Sequence, residues 1–401
     1  MLSHLRIGPV IVTLTFGLLL PAFGRDQNTT GYLITTVVGT GNEGSGGDGG
    51  PAVDADLWFP TSVAIDPANH CLYLSDWNAR IRRVNLDTGS IAPYAGTGQR
   101  GFFGDGGPAA KAVLGGSGSL AVDHTGNVYF ADENNNRVRR IDAATGIIDT
   151  VAGNGYIADI GTAGLATAIP IGLPGGVAVD AADNFYVSNG ADGVRRMVEA
   201  TGLIETAAGA GGSHFSGDGG KATLAQLDQP AGLALDAQGN LYIADRGDHR
   251  IRKVEFRSDV ITTIAGSSTG ADSGFMGLWV YEGGFSGDGG PAIDALLNDP
   301  NFVAVDGDGN IYIADTLNYR IRRVDAETGI IETIAGTGVD GFSGDDGPAL
   351  DAKMGTPAGL AVDPAGRIYF DDEENNRIRV LIPARLRPPA RGHASAESPE
   401  R

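Results

Sequence analysis

A single cysteine, Cys71, stands in a chain of 401 residues, so no internal disulfide can form and stability must come from burial and strand pairing. It lies in "HCLYLSD", whose alternation predicts a strand and a buried thiol rather than a reactive one. Basic residues are also short: 29 Lys and Arg face 49 Asp and Glu, a formal net charge of −20. That imbalance excludes nucleic acid and an anionic membrane surface as partners, because both need clustered positive charge. The six histidines, at 4, 70, 124, 214, 249 and 393, stand at unrelated points, which argues against a zinc site built from several of them. Cys71 lacks an evident base. Helical periodicity is nearly absent. Past the N-terminus no apolar run approaches 18 residues, the length of a membrane helix.

The first 24 residues are different in kind. A short basic start, "MLSHLR", leads into the apolar run "IGPVIVTLTFGLLL" and then "PAFG", the layout of a secretory signal peptide cut after Gly24. Residues 1–24 are therefore expected to direct export, leaving a secreted or periplasmic protein that is monomeric and soluble. The "NTT" at Asn28 is a sequon whose use depends on the host. Residues 384–401, rich in Pro, Ser and charge, are expected to be a disordered tail.

What the chain has in abundance is glycine, 63 residues of it, and much of it recurs in one phrase. "GGFSGDGGPAIDA" at Gly283 returns as "GFFGDGGPAAKA" at Gly101, "HFSGDGGKATLA" at His214, "GFSGDDGPALDA" at Gly341 and, more weakly, "GSGGDGGPAVDA" at Gly44. A phrase that appears five times is a building unit. The longer unit around it is clearest from Pro300 to Gly338, with fellows starting at Pro60, Gly116, Pro174, Pro230 and Pro357. The residues ending its second strand are Asp76, Asp132, Asn189, Asp245, Asp315 and Asp372, mostly 56 or 57 apart with one interval of 70. Each unit reads as four short strands: "FVAVD" and "NIYIAD" joined by a glycine turn, then "RIRRVD", then "IIETIAG".

The sixth unit stops after its third strand, whereas "TGYLITTVVGTG", Thr30 to Gly41, is the tail of a repeat without its beginning. The first strand should complete the last unit and close a ring, since closure removes exposed sheet edges. The fold class is all-β: a six-bladed β-propeller over residues 30–383, closed by an N-terminal strand. The phrase "GLAVD…GNIYIAD…NNRIRRVD" resembles the NHL repeat, and the interleaved "GFSGDGGPA" resembles its bacterial and teneurin-type variety. That resemblance covers residues 30 to 383. It implies a propeller serving as a protein-, glycan- or RNA-binding platform, with lyases and hydrolases among related propellers.

Several motifs point to ligands and are better explained by the repeat. "GTGQRG", "GTGNEG" and "GTGVDG" match G-x-G-x-x-G, but their continuations, such as "FFGDGG" and "FSGDDGPA", cannot open a helix, so no dinucleotide site is expected. "VDGDGN" at Val305 lacks its second acid in the other units and has no distant glutamate, so it reads as a hairpin turn. Asp48, Asp105, Asp218, Asp288 and Asp345, inside the glycine phrase, are expected to hold turns by bonding their own backbone. No metal or cofactor is expected. Arg80, Arg137, Arg250, Arg320 and Arg377 follow the repeat. They pair with an acid in the same or adjacent blade, or form a guanidinium ring at the channel mouth able to hold an anion.

Departures from the repeat narrow the search. Blade three has Asn189 in place of the acid and lacks the "GDGG" core. An insertion between Ser267 and Gly284 carries Phe275, Met276, Leu278, Trp279, Val280 and Tyr281. Trp77, Phe275, Trp279 and Tyr281, together with the five arginines, are the candidate binding residues on the face of inter-blade loops, for a protein or glycan ligand. The alternative is a propeller-type hydrolase or lyase with His124 or His249 as a base at the channel mouth. The reading favours a binding protein over an enzyme.

Overall fold

A computed structural model describes residues 31–386, apart from 67, 69, 158–162, 191–192, 213–214, 268–269 and 273–278. The expected signal segment, Asn28, most of the tail, His214 and Phe275 lie outside the described residues. Six antiparallel sheets stand around a central axis. The fifth, for example, comprises Pro300–Val305, Ile311–Asp315, Arg320–Val324 and Ile331–Ala335, paired in that order. The first strands of all six, Pro60–Ile65, Ser117–Val122, Pro174–Val179, Pro230–Leu235, Pro300–Val305 and Pro357–Val362, pack each against the next and return to the first. The ring is closed, and a six-bladed β-propeller is what the chain forms.

Closure follows the sequence. Tyr32–Val38 pairs antiparallel with Arg377–Pro383, placing Tyr32 opposite Pro383 and Thr35 opposite Val380. The same strand pairs on its other side with Gly347–Pro348. The sixth sheet thus takes its last full strand from the start of the described chain.

Apolar side chains fill the seams between blades. Ile81 and Leu114 meet Phe130 between blades one and two, all fully buried; each such side chain contributes about 1.5–3 kcal/mol by leaving water. Cys71 begins the second strand of blade one, half-buried and free, and burial pushes its thiol pKa up, consistent with an inert thiol.

The glycine phrase does more than turn. At the third position of the "RIRR" phrase or its variant in each blade, an arginine is sealed inside: Arg82, Arg139, Arg195, Arg252, Arg322 and Arg379 are among the largest fully buried side chains. Arg379 shows the pattern. Its Nε and one terminal nitrogen donate to Asp345 at 3.1 and 2.8 Å, and the same nitrogen reaches the Ser343 carbonyl at 2.8 Å. The other donates to the Lys353 carbonyl at 2.8 Å and to Asp372 at 3.3 Å. Arg82–Asp48, Arg139–Asp105, Arg252–Asp218 and Arg322–Asp288 repeat the ion pair at 2.7–2.8 Å. The five aspartates expected to hold turns therefore reach across the blade to a buried guanidinium, a correction to the sequence reading. Glycine is needed because the loop lies flat: at Gly287 (φ 91°) a Cβ would come within 2.7 Å of the Ala295 Cα. Where fourth strands meet third strands the register slips by one at this arginine, as between Ile321 and Arg322. Such a bulge re-aims a side chain.

Inner strands approach so closely that some positions tolerate no side chain. A Cβ at Gly176 would run into the Ala231 carbonyl of the next blade. Gly176→Ala is expected to lower stability by about 1–3 kcal/mol through overpacking, read as a reduced urea midpoint with unchanged slope.

Candidate functional site

Topology places two kinds of connection on one face. First and third strands run away from it, so it receives both the inter-blade loops and the turns after each second strand. The residue following the second strand's terminal residue therefore stands near the channel mouth in every blade: Trp77, Glu133, Gly190, Arg246, Thr316 and Glu373. Between them opens a cup of about 300 Å³. Phe302 forms its floor, and beneath that ring an apolar throat of about 220 Å³, lined by residues such as Val63, Leu120 and Leu233, continues toward the opposite face. A flat Gly232 makes room for Phe302, since a Cβ there would meet the ring.

Charges of both signs surround the cup. Among the described residues Arg246 is fixed by one bond, Nε donating to Asp299 at 2.7 Å. Glu133 opens to solvent at the cup, yet the walls around it desolvate its carboxyl and push it up from its ordinary range with no charged neighbour opposing the rise. Glu373 is pushed up by burial, with Glu374 adding to the rise while Thr356 and Arg246 counter it. Behind the wall, Asp371 is fully buried, accepts the Gly359 N–H and is raised well above the usual carboxylate range by burial. No group of three or more His, Cys, Asp or Glu suited to a metal ion occurs among the described residues.

Outward from the cup, Trp77 is 48% exposed. It is bedded against Trp58, edge-on at 6.3 Å, and Phe59 at 5.6 Å. The Arg100 guanidinium lies 5.9 Å over its ring and donates to the Trp77 carbonyl at 2.8 Å. An exposed indole held on three sides is a preformed contact surface, with little rotamer entropy left to lose. Trp58, Phe59 and Arg100 were not singled out in the sequence, although "LWFP" directly precedes the first inner strand.

The candidate arginines lie at the seams between blades. Arg137, Arg320 and Arg377 donate to backbone carbonyls, Arg320 for example to Asn318 at 3.0 Å and Thr337 at 3.0 Å. Arg80 reaches the Thr97 carbonyl and Arg250 that of Asp248. Four of the five also stack on an aromatic from the glycine phrase, Arg137 on Phe102, Arg250 on Phe215, Arg320 on Phe285 and Arg377 on Phe342, at 3.7–3.8 Å. None of them lines the cup. In the insertion, Trp279–Tyr281 pairs with Gly270–Asp272 as a small hairpin. The side chains of Trp279 and Tyr281, like Phe275 as a whole, lie outside the described residues.

The two histidines proposed as bases separate. His124 sits in the hairpin turn on the opposite face, 3.1 Å from Asp183. His249 is on the loop face, at φ 53°, where its Nδ1 accepts the Asp299 N–H at 2.9 Å. Asn376 makes the equivalent bond to the Phe59 N–H at 2.9 Å, so His249 holds a seam as its counterpart does.

A family model described as the teneurin NHL domain matches residues 210–274 and 281–340. The chain is 28% identical over 340 residues to protein SUPPRESSOR OF QUENCHING 1, chloroplastic, of Arabidopsis thaliana, covering 81% of this chain and 30% of that protein. It is 30% identical over 288 residues to teneurin-4 of Mus musculus, covering 65% of this chain and 10% of the relative. It thus spans well under two thirds of the length of these relatives. Among solved structures, an auxiliary nutrient binding protein of Bacteroides thetaiotaomicron superposes with a TM-score of 0.61 at 16% identity, over 87% of this chain and 76% of that one. That likeness is one of fold.

Proposed function

We propose that this chain, an NHL-repeat β-propeller, is an exported binding platform that takes a protein or glycan ligand on its inter-blade loop face. The observation that carries the reading is the exposed Trp77, bedded on Trp58, Phe59 and Arg100 beside the channel mouth. Interface energy concentrates on such aromatic and arginine anchors, and planar aromatic faces also stack on sugar rings. The histidine dispositions support the same reading: one candidate base lies on the far face and the other spends a ring nitrogen on backbone. Export rests on the signal-like composition of residues 1–24.

The test immobilises the chain from residue 25 onward and its Trp77→Ala variant, and exposes both to a glycan array and to the extracellular fraction of the native source. The wild-type chain is expected to retain a ligand and the variant to bind it about 30-fold more weakly, the scale of a 2 kcal/mol anchor. Equal retention by both would remove Trp77 from the site. Turnover of a substrate with no retained ligand would replace the platform with an enzyme.

A further inference from the structure

Two opposite charges, those of Glu133 and Arg246, line the channel mouth without an ion pair between them. Glu133 belongs to blade two and Arg246 to blade four, and both face the same 300 Å³ cup. Blade three, which stands between them, contributes Gly175, Gly176 and Gly190 and one apolar side chain, Leu173, so no polar side chain fills the gap. No ion pair joins Glu133 to any described residue, and the one bond of Arg246 uses Nε. That bond aims the guanidinium while leaving its two terminal nitrogens uncommitted, the fork that binds a carboxylate in two-point fashion.

The remaining lining supplies polar groups and an apolar surface. The Asn301 side chain has no hydrogen bond to a described residue. Ser119 Oγ accepts the Val177 N–H at 3.2 Å, a bond that does not use its own hydroxyl proton. Phe302 and Leu173 give the cup an apolar side. A concavity with a few convergent, unspent polar groups over an apolar floor has the character of a small-molecule site.

We infer that the cup binds a free α-amino acid, its ammonium against Glu133, its carboxylate on the outer nitrogens of Arg246 and its side chain over Phe302. A simple cation would leave the outer nitrogens of Arg246 without an acceptor, and a simple anion would face Glu133. A zwitterion satisfies both. The cup's volume suits one amino acid and excludes a folded ligand. This site is separate from the Trp77 surface, so its failure leaves the platform reading standing.

The experiment screens the standard L-amino acids for a thermal shift of the full mature chain, then measures the best binder, its amide and its N-acetyl form by calorimetry. Binding is expected for the free amino acid, with at least a tenfold loss for either derivative. Glu133→Gln should abolish discrimination against the N-acetyl form, and Arg246→Gln discrimination against the amide. The ligand-free melting temperature of each variant is measured alongside, and a loss of discrimination with no fall in that temperature reports on the site alone. Absence of any shift at millimolar amino acid, or equal affinity for the free and capped forms, overturns the inference.

Discussion

Arg379→Met is expected to destabilise the propeller by about 3–5 kcal/mol, the cost of removing one partner from a buried ion pair. Asp372 is fully buried and would lose its cation, leaving its carboxyl to be buried unpaired or to take up a proton, both at a cost. Asp345 and the Ser343 and Lys353 carbonyls would lose their shared donor as well. Methionine restores some volume, which separates the polar loss from a cavity. Arg377→Met, two residues away, is the control: its side chain is partly exposed and stacks on Phe342. Its loss should cost about 1 kcal/mol, the scale of a cation–π contact plus backbone bonds. Urea unfolding of the two variants decides. Comparable losses at both positions would mean that the buried pair is not a principal tie within the blade.

Asp248→Asn is expected to stabilise the protein, and more so as pH rises. In the other "AD" blades the matching residue is an amide: Asn135 and Asn318 each donate from Nδ2 to the strand-end aspartate, at 2.8 and 2.9 Å. Each also donates to the carbonyl of the loop residue 34 positions earlier. Asp248 can imitate that donor only while protonated. Its carboxyl is pushed up to about 8 by burial, reinforced by the charges of Asp245 and Asp228 and opposed by Arg250. Asp245 in turn is raised by burial against the pull of Arg252.

The native state therefore holds a proton that the unfolded chain releases near its ordinary value of 3.8. Stability is full below that value and falls as pH climbs toward 8, by about 1.4 kcal/mol per unit for a single group, and then levels off. The asparagine variant keeps its donor at every pH. Melting curves from pH 4 to 9 should nearly coincide at the acid end and diverge toward pH 8. Parallel profiles would show that Asp248 is not the proton donor. Acids raised by burial elsewhere, such as Asp76 and Asp315 at about 6, titrate in both proteins and cancel from the difference.

The ring was legible because repetition states it six times over: strand alternation, the period near 56 and the orphan strand at Thr30 each point to closure. The buried arginine was equally present in the letters and easy to pass over. From each loop aspartate to its arginine the distance is 34 residues, as in Asp48 to Arg82 and Asp345 to Arg379. It stays 34 from Asp288 to Arg322, although the blade interval stretches to 70 there. The insertion falls outside a spacing that structure holds fixed. A charged residue in an alternating strand reads as solvent-facing, yet Arg82 and Arg322 share a strand face with buried Val84 and Val324, and the loop carboxylates of Asp48 and Asp288 satisfy them there. The cup was illegible for another reason. Its lining comes from equivalent positions that carry a different residue type in each blade, Glu133 where blade four has Arg246 and Phe302 where it has Gly232, and a repeat alignment shows these as noise.

The join between Tyr32–Val38 and Arg377–Pro383 also sets an order of events. The strand made earliest finds its partner only when the last blade exists, and Thr35 and Asp346, bonded at 2.9 Å, are 311 residues apart. Until then the first strand offers an open edge, the kind of surface through which chains aggregate. Blades one to five form from contacts local in sequence, whereas the sixth must close a loop of nearly the whole chain, a slow step for topological reasons. A chain kept extended until its last residues are available meets that requirement directly. One cut in two before blade six keeps every strand of the other five blades and loses the lock.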